Sequence, residues 1–125
     1  FSPAVRADGV TPAADPHLPQ PLWFKDYAVD VEQADPDSML ALYRAALAIR
    51  QESLTATRDT TAEQVDMGDD VVAYTRAAVG GRVFTSITNF GNAPVALPDG
   101  SVVLASGPLT PEGQLPTDTS AWVIK

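Results

Sequence analysis

The sequence predicts a mainly β protein: a small antiparallel β-sandwich with Greek-key connections, preceded by a loop and one long α-helix. Three observations predict it. Apolar residues recur at helical spacing across Asp35 to Arg50, and period-two runs rich in β-branched residues follow from about residue 60. The eleven prolines and eight glycines concentrate outside the helical stretch, as turn-rich β structure requires.

Residues 1–22 hold Pro3, Pro12, Pro16, Pro19 and Pro21 among few consecutive apolar positions, so an extended, loop-like path is expected there. Trp23, Phe24, Tyr27, Val29 and Val31 form an aromatic and aliphatic cluster suited to anchoring that loop on a neighbouring surface, with a short helical turn over residues 28–33. Asp35 is placed to cap the long helix, and Pro36 occupies the first helical position, where its missing N–H is harmless. Asp37 adds negative charge at the positive end of the helix dipole. Met39, Leu42, Tyr43, Ala46, Leu47 and Arg50 then fall at spacings of three and four, and Leu40 and Ile49 widen the stripe beyond one amphipathic face. Such a stripe calls for two neighbours. The helix is expected to end between Ser53 and Thr57.

Glu63 to Met67 reads as a strand, and Val71 to Ala78 with Gly81 to Thr88 reads as a hairpin closed at Gly80-Gly81, which tolerates the positive φ of tight turns. Residues 89–92 form a turn, Val95 to Leu97 a short strand, residues 98–100 another turn, and Ser101 to Ala105 a strand. Residues 107–117, rich in proline and glycine, make a loop, and Ala121 to Ile124 closes the chain as a strand whose Trp122 is expected in the core. The division expected is residues 1–58, loop and helix, and residues 59–125, sandwich.

A chain of 125 residues suffices for one compact domain but hardly for two, and 45% hydrophobic residues belongs to the globular class. No apolar run approaches the roughly 20 residues of a membrane helix. A net charge of −8 with scattered cations disfavours nucleic acid and anionic lipid as partners. Cysteine is absent, which excludes disulfides and thiol chemistry and fits a cytoplasmic location. The opening Phe1-Ser2-Pro3 has no initiator Met or signal sequence, as expected of an internal cut from a longer protein.

No constellation of side chains reads as a catalytic centre, and no cofactor or metal is implied. Asp66, Asp69 and Asp70 sit at an expected turn, where Asp bonds locally, and they lack the spacing of a calcium loop. His17 is the lone histidine, in a proline-rich loop with no Gly-x-Ser-x-Gly elbow to serve. Zinc lacks ligands. Trp23, Phe24 and Tyr27 are the candidates for sugar contact, since flat aromatic faces suit a pyranose ring; packing anchors are the competing reading.

The segment Asp35-Pro36-Asp37-Ser38-Met39-Leu40-Ala41-Leu42-Tyr43-Arg44, continuing to Arg50, resembles the last barrel helix of bacterial α-glucosidases of glycoside hydrolase family 13, with its Asp-Pro-x-Ser-x-Leu-x-x-Tyr-Arg pattern. Other segments match in order. His17-Leu18-Pro19-Gln20-Pro21 resembles the family's Trp-Leu-Pro-Gln-Pro loop with His17 in the place of Trp, and Val29-Asp30-Val31-Glu32-Gln33 its Val-x-x-Gln segment. Val72-Ala73-Tyr74-Thr75-Arg76 is similar to a Phe-Ala-Tyr-x-Arg strand, and Thr88-Asn89-Phe90 to a Leu-Asn-Phe strand end. Leu115-Pro116-Thr117-Asp118-Thr119-Ser120-Ala121-Trp122 resembles the Leu-Pro-Pro-Asp-Thr-x-x-Trp ending of actinobacterial-type members, oligo-1,6-glucosidases included. The resemblance implies the C-terminal part of a retaining enzyme that removes terminal α-linked glucose, with an α-amylase-like C-terminal domain. The family's catalytic Asp, Glu and Asp lie on barrel strands whose motifs do not occur here. The chain would then be a non-catalytic support, its partner the rest of the parent (β/α)8 barrel. A carbohydrate-binding β-sandwich is the alternative. In isolation the helix is expected to pack on its own strands or against a second copy.

Overall fold

The computed structural model describes residues 21–55, 58 and 60–125. The proline-rich path expected over residues 1–22 lies outside these except at its last two positions, and His17 lies outside them altogether. The chain forms two compact units, Phe1–Arg44 and Ala45–Lys125.

In the first unit a 3-10 helix, Leu22–Tyr27, is followed by a short helix α1, Val29–Ala34, and by the start of the long helix α2, Met39–Leu54. Ala28, almost fully buried, is the joint between the first two: its N–H donates to Lys25 O and its carbonyl accepts from Glu32 N–H. The cap of α2 is Ser38, not Asp35. Ser38 Oγ accepts from Ala41 N–H at 3.2 Å and donates to Glu32 O at 2.6 Å, tying the end of α1 to the start of α2. Asp35 instead uses its carboxylate on Asp37 N–H, 2.9 Å away. An aspartate that bonds two residues ahead closes a local turn and leaves the cap to the next hydroxyl in the chain.

The second unit is built on five antiparallel strands: β1 Glu63–Val65, β2 Val71–Ala77, β3 Val83–Asn89, β4 Ser101–Ala105 and β5 Thr119–Ile124. Their order is β1-β2-β3-β5-β4, so β4 skips a position that β5 later fills. The β2–β3 hairpin is closed where the sequence predicts, with Gly80 and Gly81 at φ of 78° and 74°. Register puts Val71, Ala73, Ile87 and Ala121 on one face, opposite one another across β2, β3 and β5. These residues and Leu115 form the core, and Val65, Met67, Val95, Leu97, Ala105 and Leu109 pack on it. The long connections around β4 thus cover one face of the sheet as its second layer.

That cover is pinned by Asn89, which is fully buried. Its amide nitrogen donates to Ala93 O at 2.9 Å and to Leu115 O at 3.1 Å, while its side-chain oxygen accepts from Gly91 N–H at 2.8 Å. Three polar groups are satisfied by one carboxamide. Close packing also fixes Gly100, where a Cβ would stand 2.7 Å from Ile124 O.

Several expectations need correction. The strand expected over Val95 to Leu97 is a single bridge, Val95 to Leu115, because Pro94 and Pro98 have no N–H with which to extend the ladder. The strand from Glu63 stops at Val65, since Asp66 accepts from Gly68 N–H and turns the chain. β5 starts two residues early, at Thr119. Trp122 is half-buried on the face away from the core, as strand alternation demands once Ala121 and Val123 point inward, and it meets Phe84 at a centroid distance of 5.2 Å.

Asn89→Ala should lower the unfolding free energy in urea by about 2–4 kcal/mol, because it strands buried amide and carbonyl groups together. Ser38→Ala should cost about 1 kcal/mol by the same measurement, and Asp35→Ala distinctly less, reversing the order that an Asp35 cap would give.

Candidate functional site

Helix α2 presents its apolar stripe to solvent. Met39, Tyr43 and Leu47, four residues apart along one face, are exposed by 59%, 63% and 58%. Leu40, Leu42, Ala46 and Ile49 are only half-buried, and Ser53 is the one residue of the helix that is buried. The expectation that the helix packs on its own strands is therefore not met. Spacings of i and i+4 put side chains above one another along a helix, so the three form a continuous ridge.

Trp23, Phe24 and Tyr27 lie together on the 3-10 helix. The Trp23 ring meets Phe24 at 4.5 Å with planes at 85°, and Tyr27 at 5.8 Å with planes at 90°. Edge-to-face rings satisfy one another's quadrupoles and turn their faces in different directions, so the trio is no flat platform. Trp23 and Tyr27 nonetheless remain exposed.

Asp66, Asp69 and Asp70 are exposed around the β1–β2 turn, where the Asp66 carboxylate is engaged by Gly68 N–H. Among the described residues no group of three His, Asp or Glu side chains is arranged to hold a metal ion. A shallow depression of about 310 Å³ opens beside the hairpin end of the sheet, lined by Thr61, Glu63, Thr75, Arg76 and Arg82. Arg82 Nε is held on Val79 O at 3.0 Å. The single carboxylate there does not supply the acid and nucleophile of a retaining glycosidase, which stand about 5 Å apart.

Sequence reasoning missed a second exposed apolar area, formed by Val72, Tyr74 and Phe90 on the sheet. The signal was present: β2 carries apolar residues at both parities, Val71 and Ala73 on one side, Val72 and Tyr74 on the other.

No protein-family model matches the sequence, and no curated protein matches it. Solved structures do. The chain is similar to the trehalulose synthase MutB of Pseudomonas mesoacidophila MX-45, with a TM-score of 0.67 and 25% identity over 95% of this chain and 24% of that one. It is also similar to the isomaltulose synthase SmuA of Protaminobacter rubrum, with a TM-score of 0.67 and 21% identity over 94% of this chain and 23% of that one. The chain thus spans about a quarter of the length of these synthases, and its fold occurs as part of larger enzymes. No helix among the described residues is long and apolar enough to cross a membrane.

Met39→Gln, Tyr43→Gln and Leu47→Gln should each leave the stability of the isolated chain within about 0.5 kcal/mol in urea unfolding, as substitutions at exposed positions do.

Proposed function

We propose that the chain is the supporting C-terminal part of a larger glycoside hydrolase family 13 enzyme, with residues 1–58 contributing the last segment of its (β/α)8 barrel and residues 59–125 the domain that braces it. The observation that carries this reading is the bare ridge of Met39, Tyr43 and Leu47 on a firmly capped helix. Burying such side chains is worth about 1.5–3 kcal/mol each, so a helix that shows them to water has its stabilising neighbour elsewhere. Similarity to a quarter of two sugar synthases supplies that neighbour: the rest of the same polypeptide.

The parent that the sequence resemblance supports is a bacterial, cytoplasmic α-glucosidase acting on terminal α-linked glucose; the two synthases set a disaccharide-forming parent beside it. In either case the chain itself is non-catalytic, its task being to complete the barrel wall. Without the barrel, the ridge on α2 is the surface through which copies of the chain would associate. A carbohydrate-binding module is the weaker reading, because the rings of Trp23, Phe24 and Tyr27 stand at right angles instead of lying in one plane.

Titration calorimetry of the isolated chain with millimolar maltose or isomaltose should give no heat of binding, and incubation with a chromogenic α-glucoside no release of chromophore. Saturable heat would establish the binding module, and turnover would refute the supporting role.

A further inference from the structure

The face of the sheet turned away from the core carries Val72, Tyr74 and Arg76 from β2, Phe84, Ser86 and Thr88 from β3, and Ser120, Trp122 and Ile124 from β5. Phe90 extends this face past β3, its N–H bonded to Asp70 O at 2.8 Å in continuation of the ladder. One end is sealed: Phe84 is buried and Trp122 meets it edge-on. The other end is bare. Tyr74 is 45% and Phe90 62% exposed, and Val72 beside them is exposed too. Aromatic side chains of this size at adjoining positions are uncommon on a free protein surface, and a sheet apolar on both faces is one that lies between two layers.

We propose that this outward face, centred on Val72, Tyr74 and Phe90, is an intramolecular interface with the remaining polypeptide of the parent enzyme. The inference rests on the supporting role proposed above and adds a second contact to the helix ridge. Two observations select that occupant over a second copy of the chain. About three-quarters of each similar synthase lies outside the part this chain matches, which leaves ample polypeptide to cover the face. A chain of net charge −8 also opposes its own association, whereas the strand residues of the face itself include no carboxylate, so nothing on it repels an acidic enzyme body.

Hydroxyl-radical footprinting, read by mass spectrometry, tests this in the isolated chain and in the full-length protein encoded by the same open reading frame. In the full-length protein the oxidation of Tyr74 and Phe90 should fall several-fold relative to the isolated chain, together with that of Tyr43 on the helix ridge. Protection of Tyr43 with Tyr74 and Phe90 still reactive would overturn the interface and leave the supporting role standing. No protection at any of the three would overturn both. Tyr74 and Phe90 already protected in an isolated chain that sediments as a dimer would assign the face to a second copy and overturn the proposal. Val72→Glu in the full-length protein gives an independent reading: a lower unfolding midpoint there, with none in the isolated chain, is the expected result, and an unchanged midpoint in both contradicts it.

Discussion

The buried carboxamide of Asn89 is the constraint on which the rest of the β unit depends. It stands at the end of β3, the strand paired on both sides, and its three hydrogen bonds hold the turn after β3 and the segment before β5 at once. Leu115 can enter the core only because its carbonyl has this partner, and Val95 follows through the two bonds it exchanges with Leu115. A buried amide placed this way costs little once all of its bonds are made and a great deal if one is lost, which makes the covering layer and the sheet a single cooperative object. The covered face is therefore settled within the chain itself.

The remaining surfaces are settled differently. Helix α2 has a well-satisfied start, through Ser38, and an apolar ridge with nothing on it; the sheet has an outward face that is packed around Phe84 and bare around Tyr74. Local signals specify both elements, while their energetic completion lies outside the chain. Most helical stability in proteins comes from packing of the apolar face, so a capped helix with an open ridge is a part shaped for assembly. This division between a self-contained core and open flanks accounts for a fold that recurs as a quarter of much larger sugar enzymes.

Much of this was legible in residue order. The β2–β3 hairpin was fixed by Gly80-Gly81 between two β-branched runs, and β4 by Ser101 to Ala105 after Pro98-Asp99-Gly100. The cap was misplaced because Asp35, Pro36 and Asp37 fit a helix start by composition, whereas the hydrogen bonds that decide between Asp35 and Ser38 depend on where Glu32 O lies, a tertiary fact. Val95 to Leu97 looked like a strand from its side chains, but its flanking prolines govern the backbone. Trp122 was assigned inward by size alone; strand parity, set by Ala121 and Val123, places it outward. Of the candidate surfaces, the helix ridge could be read from its spacing. The sheet patch could not, because Val72 and Tyr74 lie beside Phe90 only once β2 and β3 pair in register.

The central claim is that α2 awaits a neighbour that the sheet does not need. Amide hydrogen exchange on the isolated chain tests it most directly, comparing Leu42 to Leu47 in the helix with Ile87 and Ala121 at the centre of the sheet. The account predicts helix amides that exchange orders of magnitude faster than those of the sheet, through opening of an unsupported element well below the free energy of global unfolding. Helix amides as slow as the sheet's in a monomeric chain would contradict it, since α2 would then be stabilised without any absent partner.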